Sequence, residues 1–134
     1  MTTTQGEGIA AMSLDVVATI PILRIFHVEK AKEFYIGFLG FQVDWEHRFD
    51  DSAPLYMQVS RSGCVLHLSE HHGDSCPGST IFLRVRGLDE YHGEITAKGY
   101  GFMRPGIERT FHNSRCMTVI DPFGNRIRFD ESLG

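Results

Sequence analysis

Hydrophobic patterning becomes regular near Asp15, and from Val16 to Ile25 a β-branched run predicts a strand. Pro21 within it marks an edge position or a point where the chain leaves its neighbour. Ala31, Phe34, Tyr35, Phe38 and Leu39 then recur at spacings of three and four, which predicts an amphipathic helix from Val28 to Leu39 that stops at Gly40. Strands are predicted next at 41–48, 54–60 and 64–70, the last two joined by the tight-turn sequence Arg61-Ser62-Gly63, and a loop at 71–79 closes this half. The second half repeats the order, with a predicted strand at 80–86, a helix from Leu88 to Lys98 and a glycine stop at 99–101. An irregular stretch at 102–111 follows, and then strands at 115–120 and 125–129 around Asp121-Pro122-Phe123-Gly124.

The halves are in register. Gly40 to Gly63 and Gly101 to Gly124 both span 23 positions, and Ile20-Pro21-Ile22-Leu23-Arg24 precedes Thr80-Ile81-Phe82-Leu83-Arg84 by 60. An internal duplication explains both spacings. The expectation is an α+β fold of two tandem β-α-β-β-β modules forming a curled mixed sheet. One domain would cover residues 15–134, with a first module at 15–73 and a second at 79–131. Residues 1–14, rich in Thr, Gly and Ala and without periodicity, are expected to be a mobile tail.

Composition narrows the class without choosing a function. A chain of 134 residues suits one core, and 42% hydrophobic with 22% charged residues excludes disordered and fibrous classes. No apolar run approaches membrane-spanning length and no signal-peptide pattern opens the chain, so a cytoplasmic protein without membrane association is expected. The cysteines, Cys64, Cys76 and Cys116, are odd in number and never spaced C-x-x-C, which points to reduced thiols. A net charge of -4 disfavours nucleic acid and favours cationic partners.

Three motifs occur in an order that carries a resemblance. Val28-Glu29-Lys30-Ala31-Lys32-Glu33-Phe34-Tyr35 with Leu39-Gly40-Phe41, then Val85-Arg86-Gly87-Leu88-Asp89-Glu90, then Asp121-Pro122-Phe123-Gly124-Asn125 together resemble the glyoxalase, bleomycin-resistance and dioxygenase (vicinal oxygen chelate) superfamily. The resemblance implies that each module curls into half of a cup that encloses a metal or a ligand. The Asp121 turn is read as structural, because Pro122 pre-sets φ and Gly124 can take φ > 0.

Metal-dependent members place ligands on the first and last strands of each module, which the alignment puts at Ile20, Thr80, His67 and Arg128. Ile20 has no donor atom, Thr80 is a poor ligand and Arg128 is a fixed cation, so only His67 could serve and no metal or other cofactor is expected. A competing metal reading rests on the donor cluster His67, Glu70, His71 and His72, with His27, His47, His92 and His112 elsewhere.

Within the superfamily the chain is most similar to the bleomycin-resistance proteins, in Ile20-Pro21-Ile22-Leu23, in the Arg86 to Glu90 junction and in the missing metal ligands. That resemblance implies a metal-free homodimer that exchanges N-terminal strands at a proline and confers antibiotic resistance by sequestering a cationic or aromatic drug or metabolite in a groove between subunits. Candidate ligand-binding residues are Trp45, Phe49, Tyr56, His67, Phe82 and His112, with no catalytic residue assigned. Trp45 leads the set as the only tryptophan, between Asp44 and Glu46 on a polar strand. Similar proteins commonly have Trp-Gly-x-Arg-Glu where this chain has His112-Asn113-Ser114-Arg115-Cys116, so His112 takes the place of a stacking tryptophan. The alternatives are a glyoxalase-like lyase or dioxygenase with an atypical site, and a structural or regulatory dimer.

Overall fold

In the computed structural model, which describes residues 13–134, alternating apolar and polar positions sort the chain into two four-stranded mixed sheets. The first holds β1 (Ile22–Arg24), β2 (Gln42–His47), β3 (Tyr56–Arg61) and β4 (Cys64–Ser69) in the order β1-β4-β3-β2. The second holds β5 (Thr80–Arg84), β6 (Ile107–Arg109), β7 (Ser114–Ile120) and β8 (Arg126–Ser132) in the order β5-β8-β7-β6. In each sheet the first strand runs parallel to the last and the other neighbours are antiparallel. The repeat read from glycine spacing reappears in the register, since Ile22 pairs with His67 and Phe82 with Arg128.

Residues 1–12 of the expected tail lie outside the described residues. The strand expected from Val16 is shorter, because Pro21 has no N–H and contributes only its carbonyl, which accepts from His67 N at 2.9 Å. Before that point the chain has no strand partner among the described residues. Leu14, Val16 and Val17 are accordingly 91%, 66% and 92% exposed. The predicted irregular stretch contains the short β6, which pairs with β7 from Ile107 to Arg109.

Helix α1 (Val28–Lys32) starts under His27, whose Nδ1 accepts from Lys30 N at 3.1 Å. It continues as a π turn, Glu33–Phe38, in which Leu39 N reaches back to Phe34 O at 2.9 Å. The widened turn lets Phe34, Tyr35 and Phe38 all be buried. Helix α2 (Leu88–Ala97) buries Leu88 and Ile95. Both helices and the inner faces of both sheets share one core, from Leu23 and Leu66 in the first module to Met117 and Phe129 in the second. No helix among the described residues is long and apolar enough to cross a membrane.

The two final hairpins fasten the modules together by different means. Ser62 and Gly63 both have positive φ, 50° and 86°, as a type I′ turn requires, and this turn carries Arg61 into a bidentate pair with Glu94 of α2 at 2.6 and 2.8 Å. In the second hairpin Asp121 Oδ1 accepts from the backbone of Phe123 and Asn125, both at 2.8 Å, while Oδ2 accepts from Tyr35 Oη at 2.7 Å and Asn125 Nδ2 at 2.9 Å. Asn125 Nδ2 also donates to Arg24 O at 2.8 Å, which ties the turn to the first module. Burial beside the Asp121 carboxylate holds the Tyr35 phenol well above its ordinary range, so it stays a donor.

Candidate functional site

Each sheet presents its inner face to the core and leaves the other open. On β2 a bulge between Val43 and Trp45 breaks strict alternation, so consecutive residues Asp44 and Trp45 both reach the open face. Trp45 lies parallel to Tyr56, with ring centroids 6.0 Å apart and 11° between planes, and meets the His67 ring edge-on at 5.3 Å. Tyr56 and His67 complete the set at 5.1 Å, and Trp45 remains 42% exposed. Phe49 stands at the rim, with edge contacts to His47 and His71.

Hydrogen bonds fix the protonation of this face. Asp44 accepts from Gln58 Nε2 at 3.0 Å, Ser60 Oγ at 3.0 Å and Gln42 Nε2 at 3.2 Å, and these donors hold its carboxyl below the usual range despite opposing desolvation. With its amide nitrogen committed to Asp44, Gln58 offers Oε1 to His67 Nε2 at 3.0 Å. His67 Nε2 must therefore carry the proton, and Nδ1 accepts from Tyr56 Oη at 2.7 Å. Desolvation lowers the His67 pKa, in keeping with this neutral tautomer, and desolvation followed by the Asp74 charge raises that of Tyr56.

The open face of the second sheet is built differently. Phe82 is 49% exposed, opposite Arg128 across the β5–β8 ladder, with Thr118 on the far side of Arg128. Arg84 lies over the Phe82 ring at 5.5 Å, and His112 tilts toward that ring at 6.5 Å. Arg126 is the next residue along β8 on the same side. Asp130 shares that side by alternation but is fully buried, beneath Arg84 Nε at 3.2 Å and Ser114 Oγ at 2.6 Å. His112 Nδ1 also lies 3.2 Å from Ser114 Oγ. The serine proton is spent on Asp130 rather than on the imidazole, so these three residues do not form a nucleophile and its base. Burial raises the thiol pKa of both Cys64 and Cys116, the latter helped by the Asp130 charge, which leaves them poor nucleophiles.

The six predicted residues thus fall into two groups. Trp45, Phe49, Tyr56 and His67 belong to the first face, and Phe82 and His112 to the second. No ring contact joins the groups among the described residues. Gln58 was missed although it alternates with Tyr56 on β3; Asp44 was missed because the bulge that turns it outward depends on cross-strand pairing. A separate cleft of about 280 Å³ at the module seam is lined by Phe41, Cys64, Leu83, Val85, Tyr91 and Phe129, with the Arg61–Glu94 pair at its rim. It contains none of the predicted residues.

The strand register sets residues beside His67 and Arg128 that differ from the two expected with them. His67 and Arg128 face Ile22 and Phe82, not Ile20 and Thr80; Thr80 pairs with Arg126. A shift of two keeps the same side of a strand, and Ile22 and Phe82 have no donor atoms either. One imidazole, two hydrocarbon side chains and a guanidinium do not fit a divalent cation. The histidine cluster does not supply another site, since no three His, Cys, Asp or Glu groups converge among the described residues. His27 is spent on capping α1, and His92 Nε2 bonds Pro105 O at 2.9 Å.

Paired βαβββ modules around open sheet faces define a glyoxalase-type fold. A family model described as glyoxalase superfamily protein matches residues 4–134, and the chain belongs to that family. Among solved structures it is similar to a glyoxalase-related enzyme from Clostridium phytofermentans, with TM-score 0.71 and 20% identity over 90% of this chain and 98% of that one. It is also similar to a bleomycin-binding protein complexed with bleomycin, with TM-score 0.67 and 21% identity over 87% and 99%. A third is the bleomycin-binding protein from bleomycin-producing Streptomyces verticillus, complexed with copper(II)-bleomycin, with TM-score 0.64 and 23% identity over 91% and 99%. These likenesses are of fold. No curated protein sequence matches the chain.

Proposed function

We propose that this protein binds a planar small molecule without chemistry, in the manner of the bleomycin-binding proteins it is similar to. The groove would lie between two copies of the chain. The observation that carries this reading is the solvent-open ring set of Trp45, Tyr56 and His67, locked by hydrogen bonds on a face whose metal positions hold no ligand set. Rings held apart from the core and fixed in orientation favour stacking at low entropic cost.

A second copy is needed because each open face is half a groove. The two ring groups do not touch among the described residues of one chain, and a two-fold dimer that sets the first face of one copy against the second face of the other makes two equal grooves. The exposed apolar side chains of Leu14, Val16 and Val17, on a segment without a strand partner among the described residues, support exchange of this segment with the partner beyond the Pro21 hinge.

Trp45 is the only tryptophan, so its fluorescence reports directly on the groove. Titrating planar aromatic compounds of either charge, together with copper-free and copper-loaded bleomycin, into the dialysed protein should give saturable quenching at one or two sites per dimer. Trp45→Ala should weaken binding measured by calorimetry by about 1–3 kcal/mol. Absence of binding across the set, or unchanged affinity in that variant, would overturn the reading.

A further inference from the structure

We propose that the ligand is a planar aromatic acid, its ring on the Trp45 and Tyr56 face and its anionic group on Arg126 and Arg128. This rests on the groove reading above and assigns the charge of its occupant. Residues two apart on one side of a strand lie about 7 Å from each other along the backbone, so Arg126 and Arg128 are neighbours on the open face of β8. Among the described residues neither has a carboxylate within ion-pair distance, whereas Arg24, Arg84 and Arg115 are respectively over the Phe26 ring, on Asp130 and on Asp89. Two like charges left side by side repel each other, and an anion placed between them removes that repulsion.

Glu108 lies on the second open face too, beside Cys116 and in the row of Asp130 rather than that of Arg128. Asp130 is buried and held by Arg84 and Ser114, and Asp44 already accepts from Gln42, Gln58 and Ser60. The first face carries a cation of its own, Arg24, on the same side of β1 as Ile22 and over the Phe26 ring, besides His67 bonded to Tyr56 and Gln58. Phe82, between the arginines' strand and the groove edge, adds an apolar wall beside the charge. Guanidinium groups suit a carboxylate or phosphate because their paired N–H donors match two oxygens. The net charge of -4 belongs to the whole chain, and Arg126 and Arg128 stay outside its ion pairs among the described residues.

The test uses two probes with one ring and opposite charge, naphthalene-2-carboxylate and 2-naphthylmethylamine, titrated calorimetrically into the full-length protein. The carboxylate should bind about tenfold tighter or better. Arg126→Ala with Arg128→Ala should remove that preference without weakening the amine, while Arg126→Lys with Arg128→Lys should keep part of it; far-UV circular dichroism confirms that each variant is folded. Equal or tighter binding of the amine by the unaltered protein would overturn the charge assignment and leave the groove reading standing. A preference that survives the alanine pair would overturn the role of these arginines. Failure of both probes to bind would overturn both readings together.

Discussion

On the first sheet the open face carries Trp45, Tyr56 and His67 packed ring against ring and tied to Gln58, whereas corresponding rows of the second carry Arg128, Thr118 and a single large ring, Phe82. Beneath these faces the frames match strand for strand. Duplication preserves what backbone geometry demands, namely alternation and the glycines that need positive φ, and leaves the solvent-facing rows free to diverge. The contrast suits a groove with unlike walls, one for stacking and one for charge.

The hairpins differ in the same way, and this gives the largest expected effect. Asp121→Ala strands the Tyr35 hydroxyl, the Asn125 amide and two backbone N–H groups in a buried setting, and should cost about 3–5 kcal/mol in urea denaturation. If the loss were under about 1 kcal/mol, the turn would not be the clamp between modules. The shared backbone chemistry comes next: Gly63→Ala and Gly124→Ala, at φ 86° and 89°, should cost about 1–2 kcal/mol each and nearly equally. Arg61→Ala at the first hairpin should cost only about 1 kcal/mol, because the Arg61–Glu94 pair is partly exposed and screened.

The smallest effect concerns His67. Its folded pKa is lowered by desolvation, so between that value and the ordinary one of about 6.5 the unfolded chain binds more protons. Its contribution is complete above about pH 6.5 and is lost as pH falls toward the folded pKa. Ring titration by NMR should place the midpoint below the ordinary value, and Gln58→Glu should raise it by putting a carboxylate on Nε2. An unmoved midpoint would break the hydrogen-bond chain from Asp44 to Tyr56.

Much of the frame is legible in the sequence because it depends on local rules. Gly40, Gly63 and Gly124 mark turns, and Ile81 and Ile127 alternate into the core as their spacing requires. What escapes depends on partners distant in sequence. The start of β1 follows from what Pro21 and His67 can bond, the outward turn of Asp44 from the β2–β3 register, and the burial of Asp130 from its covering by Arg84 and Ser114. The candidate site is legible in part: alternation turns Phe82 away from the core, Tyr56 is read from its aromatic ring and His67 from the family resemblance, but only the folded chain divides them between two faces.

The central claim, that these unlike faces come from different copies to form one groove, is tested most directly by complementation. A Trp45→Ala chain and an Arg126→Ala, Arg128→Ala chain, each unable to bind naphthalene-2-carboxylate tightly, are co-expressed with different tags and purified through both. In the mixed dimer one groove pairs two damaged faces and the other pairs two intact ones. Calorimetry should therefore recover one site per mixed dimer with the affinity of the unaltered protein, and no recovery would contradict a groove shared between copies.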